Sequence, residues 1–395
     1  MRRSLAILIV VPTLLMLLGV AIIASTGDVP SLRHHSDPNY FLQRQLIFMV
    51  LGLGAAALLW RIDYRVWFRR EVMACLFLLI LVGLVVVFVP GLAAPANGSY
   101  RWVNLRVVRL QPSEFVKLML IVLMAAWHGP ISRRHDRFWE GLAIPGVVLA
   151  MVAIGFIRQP DLGSTFLAGI VSMVLMFVAG VKLLYLSGVA VAAVLGIAGL
   201  IVINPERLSR VMAVYSKTGV SDDDRHQIEQ SLAAFNAGGI WGVGYGNSLR
   251  KQRFLPESHT DFILSMVGEE LGLICTIAVV VAYLLILIAG LSVSLRSRDK
   301  FGRLLAFGMT FHLCFSAAFN IAVVTKLAPT KGLALPFISY GGSNLIASMV
   351  AVGFILAVAR RVDSDHPLDR FLSSEDTLPE DSFSDDPPAA ETGAA

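Results

Sequence analysis

Ten apolar runs, separated by polar segments, cover most of the 395-residue chain. A transmembrane α-helix needs about 20 apolar residues, and several of these runs are shorter. We therefore expect their ends to extend into flanking polar residues or to lie inside a helix bundle. The pattern predicts an all-α polytopic membrane protein with about ten transmembrane helices, formed by Ala6 to Ser25, Leu46 to Trp60, Val72 to Val89, Phe115 to Trp127, Leu142 to Ile157, Ser164 to Val181, Leu183 to Ile203, Phe262 to Val293, Leu304 to Val324 and Leu345 to Ala359.

Composition excludes a soluble globular domain. The chain is 56% hydrophobic and 15% charged, with a mean hydropathy of +0.71, whereas about a quarter of the residues in a soluble domain are charged. The first run is longer than the apolar region of about 7 to 15 residues in a secretory signal peptide, so we expect it to be retained. All three cysteines lie in apolar runs and are expected to pack as small hydrophobic residues, without disulfides or zinc: Cys75, Cys275 and Cys314.

The positive charges predict the orientation of the helices. Ten helices place both termini on one side, and the positive-inside rule makes that side cytoplasmic. Of the 33 basic residues, 17 then fall on inner segments and nine on short outer ones. Residues 1–361 are expected to form the transmembrane domain, with one large extracytoplasmic loop at about 204–260. Residues 362–395, which combine acidic residues with Ser, Pro and Ala, are expected to form a disordered cytoplasmic tail.

Some basic residues lie on the predicted outer face despite this rule. They are Arg101, Arg106, Arg109, Lys117, Arg250, Lys251, Arg253, Lys326 and Lys331. Their placement indicates an anionic ligand, for which lipid head groups and substrate phosphate are equally consistent. Nucleic acid is not expected at an outward face.

The segment from Asn97 to Lys117 ends in Q-P-S-E, a helix start with Pro112 in the first turn. Glu114 and Lys117 are three residues apart and can pair on one helix face. This pairing favours a buried ion pair that holds the helices in register. The alternative is that Lys117 faces a cavity and contacts phosphate, because ionisable groups within a span commonly mark a site.

Three further polar segments interrupt the apolar pattern. The turn R-Q-P-D-L-G-S-T at 158–165 contains Asp161, which is more typical of a helix cap than of a catalyst. Five glycines in Phe235 to Ser248 allow a close approach to a ligand, although glycine alone is a weak signal. The segment from Lys326 to Asn344 predicts irregular backbone, and its turn from Ser339 to Ser343 is equally consistent with a cavity wall and a simple helix start.

A cluster of carboxylates lies where the long loop meets the next apolar run, in F-L-P-E-S-H-T-D-F-I-L-S-M-V-G-E-E-L-G at 254–272. Asp261 is either the N-cap of a helix or a general base whose pKa the helix dipole lowers. We assign Glu269 and Glu270, about two turns deeper, to structure. Glu257 and His259 are expected to shape the site around Asp261.

Seven motifs, taken together, resemble the SEDS family (shape, elongation, division and sporulation) of bacterial peptidoglycan glycosyltransferases. They are G-S-Y-R-W at 98–102, Q-P-S-E at 111–114, Q-P-D-L-G-S-T at 159–165, G-V-G-Y-G-N-S at 242–248, L-P-E-S-H-T-D-F-I at 255–263, G-E-E-L-G at 268–272 and L-P-F-I-S-Y-G-G-S at 335–343. The similarity extends from about Gln43 to Arg361. P-T-K-G-L at 329–333 is more similar to the cell-division branch than to the elongation branch.

The resemblance implies polymerisation of lipid II, an undecaprenyl-diphosphate-linked disaccharide-pentapeptide, at the outer face of the bacterial cytoplasmic (inner) membrane. The catalytic carboxylate of the family corresponds to Asp261, and the charged positions that line its cavity correspond to Arg101, Glu114, Lys117 and Lys331. Asp161, Glu257, His259 and Ser339 fall in the matched motifs and are predicted to contact substrate. The implied partners are lipid II, the nascent glycan, membrane lipid, a class B penicillin-binding protein and other division or elongation proteins.

This sequence departs from the family pattern at two places. Asn344 replaces a usual Ser, and Arg225-His226-Gln227 replaces a more typical Gly-Tyr-Gln. These differences concern local contacts rather than the reaction.

The residue chemistry is consistent with the implied reaction. Inversion at the anomeric carbon requires one base and no nucleophile, and the leaving diphosphate requires fixed positive charge. A divalent cation, Mg²⁺ or Mn²⁺, could share that task, but the sequence offers no clear ligand set. The alternatives are a lipid II flippase, which needs a polar path between the two faces, and a non-catalytic scaffold, which does not need Asp261.

Overall fold

The computed structural model describes residues 2–26, 39–96, 99–104, 109–129, 137–203, 208–209, 212, 222–248, 260–329 and 333–364. Glu257, His259 and Lys331, together with the predicted tail beyond Ser364, lie outside these residues. The described part contains eleven α-helices, which we number α1 Arg2–Thr26, α2 Tyr40–Arg61, α3 Arg70–Val85, α4 Pro112–His128, α5 Ile144–Arg158, α6 Leu162–Ala179, α7 Leu183–Ile203, α8 Asp222–Gly238, α9 Ile263–Arg296, α10 Lys300–Val324 and α11 Gly342–Ser364.

All ten predicted apolar runs coincide with helices, so the chain is an integral membrane protein. Within the described residues, nine helices are long and apolar enough to cross a membrane. The tenth run corresponds to α4, which has only 17 residues but buries both polar and apolar side chains in the bundle. A span that other helices surround does not have to match the bilayer by its own apolar length.

The centre of the bundle is formed by α10 and α11. In the apolar 18-residue stretch of each helix, 83% of the residues of α11 and 56% of those of α10 are buried, against 6% of those of α7. Close packing depends on small residues: a Cβ added to Gly353 of α11 would lie 2.9 Å from the Cα of Ala56 on α2. Such contacts let helix backbones approach closely, which drives helix association where no hydrophobic effect operates.

A short 3₁₀-helix, Tyr64–Phe68, connects α2 to α3 at the end of the bundle where α10 begins. Asp299 caps α10 by accepting a hydrogen bond from the Gly302 amide at 2.8 Å, and it also accepts one from the Tyr64 hydroxyl. Burial and the neighbouring Asp299 carboxylate raise the pKa of Tyr64, which therefore stays protonated as a donor.

A three-stranded antiparallel sheet precedes α4. The apolar pattern of the sequence did not predict this sheet. Its strands are β1 Ala93–Ala96, β2 Ser99–Asn104 and β3 Arg109–Leu110, in the order β1-β2-β3. Val103 pairs with both Ala93 and Leu110 and is buried. The prediction of an all-α fold is therefore correct for the membrane part, and the sheet is a small addition to it.

The predicted long loop contains α8, which packs against α9, and a glycine-rich turn, 239–248, that follows it. The turn pairs with α9 at a kink centred on Gly272, whose φ is 80°. The amides of Val243 and Gly244 donate to the carbonyls of Glu269 and Glu270 at 2.9 and 3.1 Å. The close approach that the glycines allow is therefore to the helix α9.

A substitution at Gly242 tests this pairing. Its φ is 84°, and an added Cβ would lie 2.2 Å from the Glu270 carbonyl oxygen, so Gly242→Ala must displace the turn or the kink. We expect a loss of about 1–3 kcal/mol in stability, seen as a lower thermal unfolding midpoint in detergent. Gly169→Ala on α6 has no atom within 4 Å of the new Cβ and is the matched control, which should not lower the midpoint.

Candidate active site

The predicted site residues that the structure describes meet at one end of the bundle, which we call the site end. Here α4, α6, α9 and α11 begin and α10 ends. The Gln111 amide, before α4, donates to the Ser343 hydroxyl of α11 at 2.8 Å. The Ser113 hydroxyl of α4 lies 3.5 Å from the Asp161 carboxylate before α6. The connections between helices are therefore tied to one another at this end.

Asp261 lies at the site end and is partly exposed. The N-cap position of α9 is Phe262, so Asp261 precedes the cap and is not the capping residue. The interpretation of Asp261 as the helix N-cap is therefore wrong. Its carbonyl oxygen accepts a hydrogen bond from Asn320 at 2.9 Å, and the preceding carbonyl, of Thr260, accepts one from Ser339 at 2.6 Å.

Arg101 connects β2 to the turn between α5 and α6. Its guanidinium donates to the carbonyl of Pro160, which has an unusual φ of 30°. The Nε atom of Arg101 is buried and has no hydrogen-bond partner among the residues the structure describes. A guanidinium carries five N–H donors, so this contact leaves capacity for an anion.

Asp161 is the N-cap of α6. Its side chain accepts a hydrogen bond from the Ser164 amide at 3.1 Å, and its carbonyl accepts one from the Thr165 hydroxyl at 2.8 Å. The carboxylate is almost fully buried. A capping aspartate satisfies one of the first amides of the helix and interacts favourably with its dipole.

Glu114 and Lys117 form the ion pair that their spacing predicts. The Lys117 ammonium lies 2.8 Å from the Glu114 carboxylate in the first two turns of α4. Lys117 is 3% exposed. Removing two charges from water is costly, so each of them depends on the other in this position.

The segment 333–341 before α11 is irregular and mostly buried, as predicted. Ser339 holds it through two bonds: its hydroxyl accepts from the Leu335 amide at 2.8 Å and donates to the Thr260 carbonyl. The Tyr283 hydroxyl of α9 donates to the carbonyl of Pro336. The Ser339 side chain therefore contacts the backbone of the segment that contains Asp261.

Glu269 and Glu270 have the structural role assigned to them. Both are buried, and their carboxylates accept hydrogen bonds at 2.5 Å from Ser248 and Ser25, respectively. These bonds connect α9 to the glycine-rich turn and to α1. The two glutamates lie before the kink at Gly272, in the first two turns of α9, and their hydrogen bonds do not involve Asp261.

Leu333 connects the end of α10 to the start of α6 at the site end. Its carbonyl accepts a hydrogen bond from Asn320 at 2.8 Å, and its side chain would lie 3.4 Å from a Cβ on Gly163 at the start of α6. Sequence reasoning did not identify Asn320. The available signal was a single amide in the apolar stretch S-A-A-F-N-I-A-V-V at 316–324.

A divalent cation has no evident ligand set in the part of the chain that is described, which contains no group of three or more His, Cys, Asp or Glu suited to a metal. Two carboxylates of the site end are already engaged, Glu114 by Lys117 and Asp161 by the Ser164 amide. We therefore assign no step of the chemistry to a cation.

Comparison with known proteins decides the family. Residues 5–364 match the family of FtsW, RodA and SpoVE, described as cell cycle proteins. The chain belongs to the FtsW/RodA/SpoVE family. It is 39% identical over 351 residues to a probable peptidoglycan glycosyltransferase FtsW of Geobacter sulfurreducens, covering 87% of this chain and 92% of that one. A protein of the same name from Legionella pneumophila is 33% identical over 353 residues, covering 87% and 88%.

Solved structures of relatives share the fold of this FtsW/RodA/SpoVE protein. A chain from a structure described as "Structural coordination of polymerization and crosslinking by a peptidoglycan synthase complex" has a TM-score of 0.74 at 27% identity, covering 91% of this chain and 98% of that one. The rod shape determining protein RodA of Thermus thermophilus has a TM-score of 0.62 at 26% identity, covering 89% and 95%. The likeness thus extends over most of both chains.

Substitutions at Asp161 separate its capping role from its charge. Asp161→Ala removes the α6 cap, and we expect it to lower stability by about 0.5–2 kcal/mol, whereas Asp161→Asn retains a capping oxygen. Thermal unfolding in detergent measures both. If the charge contacts substrate, as the motif predicts, Asp161→Asn should lower activity at unchanged stability. Full activity in this variant would leave Asp161 with the cap alone.

Substitutions at Lys117 separate the ion pair from ligand binding. Lys117→Met leaves a buried Glu114 unpaired and should cost about 3–5 kcal/mol in stability. Adding Glu114→Gln removes the unpaired charge and should restore most of the unfolding midpoint. If Lys117 contacts a diphosphate, the stable double variant should still fail to polymerise substrate. Recovery of both stability and activity would contradict a role in binding.

Proposed function

We propose that this chain polymerises lipid II into peptidoglycan glycan strands by inverting glycosyl transfer. The proposal is supported by membership of a family whose members include probable peptidoglycan glycosyltransferases. The observation that carries the assignment of the site is the placement of Asp261. This carboxylate precedes the cap of α9 and belongs to a segment that Asn320 and Ser339 hold by its backbone.

The proposed step forms one bond and breaks one. A hydroxyl oxygen of the acceptor sugar attacks the anomeric carbon of the donor strand, and its proton passes to the Asp261 carboxylate. The bond from that carbon to the diphosphate oxygen breaks, and undecaprenyl diphosphate leaves with the electron pair. Arg101, Lys117 and Lys331 stabilise the negative charge on the diphosphate. Glu114 holds the Lys117 side chain in place through their ion pair.

Transport and scaffolding are the competing functions. A flippase requires polar groups along a path between the two faces of the bundle. Among the described residues, the buried Lys, Asp and Glu side chains all lie in or just before the first two turns of helices that begin at the site end: Glu114, Lys117, Asp161, Glu269 and Glu270. This distribution favours surface chemistry over transport. A scaffold does not require a carboxylate at Asp261, so the two functions differ in a measurable way.

The proposal includes a location and partners. We place the chain in the bacterial cytoplasmic (inner) membrane with the site end on the extracytoplasmic face, where lipid II is used. A structural relative comes from a peptidoglycan synthase complex that coordinates polymerisation and crosslinking. By analogy, we propose that this chain works with a class B penicillin-binding protein in cell division. The matched relatives named FtsW support division over elongation.

Substitution of Asp261 tests the proposal. We expect Asp261→Ala and Asp261→Asn to lose nearly all polymerisation of labelled lipid II when purified with a partner transpeptidase, because neither side chain can accept the proton. Glycan length on a gel measures the product. The Asn variant is the isosteric control for folding, so its unfolding midpoint should equal that of the wild type.

Equal product from all three proteins would contradict the role of Asp261 as base. If the wild type makes no glycan with a partner that crosslinks supplied strands, the chain is a transporter or a scaffold. Transport of fluorescent lipid II across vesicles that contain the wild type would then separate these two.

A further inference from the structure

Asn320 is a buried amide near the end of α10, with 2% of its surface exposed. Burial of an amide without hydrogen bonds costs several kcal/mol, so its partners determine why it is tolerated there. The site chemistry proposed above does not use this residue.

The Nδ2 atom of Asn320 donates to two carbonyls that belong to different segments. One is the carbonyl of Asp261 at 2.9 Å, before α9, and the other is that of Leu333 at 2.8 Å, in the segment before α11. Both partners accept, so the amide nitrogen must face them and the orientation of the group is settled. An amide nitrogen carries two hydrogens and can make both bonds at once.

The acceptor end of the same side chain is not used in this way. Oδ1 of Asn320 is buried and has no hydrogen-bond partner among the described residues. An unsatisfied buried acceptor is unfavourable, so the group is a poor choice for stability alone. What distinguishes it is the pair of donors, which are directed at the carbonyl of the residue that carries the proposed base and at the carbonyl of Leu333 before α11.

Ser339 acts beside Asn320 on the same short stretch. Its hydroxyl donates to the Thr260 carbonyl at 2.6 Å and accepts from the Leu335 amide. Two successive carbonyls, of Thr260 and Asp261, are therefore held by side chains from α10 and from the segment before α11. The side chain of the N-cap residue, Phe262, makes no capping hydrogen bond, and these bonds from outside the helix help to fix the backbone that precedes it.

We propose that Asn320 is a positioning residue that holds the Asp261 segment in register with the segment that begins at Leu333. One amide thus joins the backbone of the residue that carries the proposed base to the start of the described segment before α11. The inference rests on the proposed function. Misplacement of a catalytic group by about 1 Å can cost on the order of 100-fold in rate.

Asn320→Asp tests the proposal, because it keeps the size of the side chain and removes both N–H donors. We expect polymerisation of lipid II to fall about 10- to 100-fold in kcat, with KM within about twofold of the wild type. Asn320→Gln keeps two donors on one nitrogen and should recover part of the lost kcat.

Tyr64→Phe is the matched control, since it removes a part-buried hydrogen bond at the opposite end of α10. We expect Tyr64→Phe to lower the unfolding midpoint about as much as Asn320→Asp does. Its kcat per folded molecule should nevertheless equal that of the wild type. Equal losses of kcat in Asn320→Asp and Tyr64→Phe would overturn the proposal, as would wild-type turnover in Asn320→Asp.

Hydrogen–deuterium exchange provides a readout that does not depend on activity. We expect the amides around residues 260–265 and 333–339 to exchange faster in Asn320→Asp than in either the wild type or Tyr64→Phe. Unchanged exchange in both segments overturns the proposal. If the wild type makes no glycan but these segments respond, the proposed function fails and the structural coupling by Asn320 stands, without a base to position.

Discussion

Every peptide group that leaves a helix inside this bundle needs a hydrogen-bond partner from the protein, because lipid supplies none. Two irregular segments come under this constraint. The turn at 239–244 pairs with α9 through its backbone. The segment at 333–341 accepts hydrogen bonds from Tyr283 and Asn320, and within it the Ser339 hydroxyl accepts one from the Leu335 amide. Backbone pairing thereby orders the turn, and side chains of α9, α10 and the segment itself order the irregular backbone before α11.

The same constraint explains why polar residues at the site end contact the backbone so often. Arg101 donates to the Pro160 carbonyl, Asp161 accepts from the Ser164 amide, and Ser339 donates to the Thr260 carbonyl. Each was predicted to contact substrate, and each has a structural contact in the described molecule. Backbone bonding and substrate binding are compatible for a guanidinium, which has donors to spare, and less so for a hydroxyl with one proton.

The helices could be predicted because their signals are local. Long apolar runs identify the spans, and Pro112 marks the start of α4. The three-residue spacing of Glu114 and Lys117 predicts their ion pair directly. The strands of the sheet have four, six and two residues, which is too short for an alternation of polar and apolar positions to identify them. For α8, Ile228, Leu232 and Phe235 do recur at helical spacing, but the polar composition of the loop obscured it.

Contacts between distant segments could not be predicted in this way. The five glycines of 235–248 indicated a close approach, and only the fold shows that the neighbour is the kinked helix α9. The cap of α9 depends on where the helix starts, which is one residue later than the interpretation of Asp261 as N-cap required. Asn320 gains its importance from bonds to residues 59 and 13 positions away, and no local pattern encodes such bonds.

The weak packing of α7 makes this helix different from the other spans. It contacts the bundle mainly through α6, and only 6% of the residues in its apolar stretch are buried. The tilt of most transmembrane helices is set by their neighbours, whereas a helix with few neighbours adjusts to the hydrocarbon thickness around it. We therefore expect the thickness of the bilayer to act directly on the tilt of α7. In the chain, α7 precedes α8 and the segment that contains Asp261.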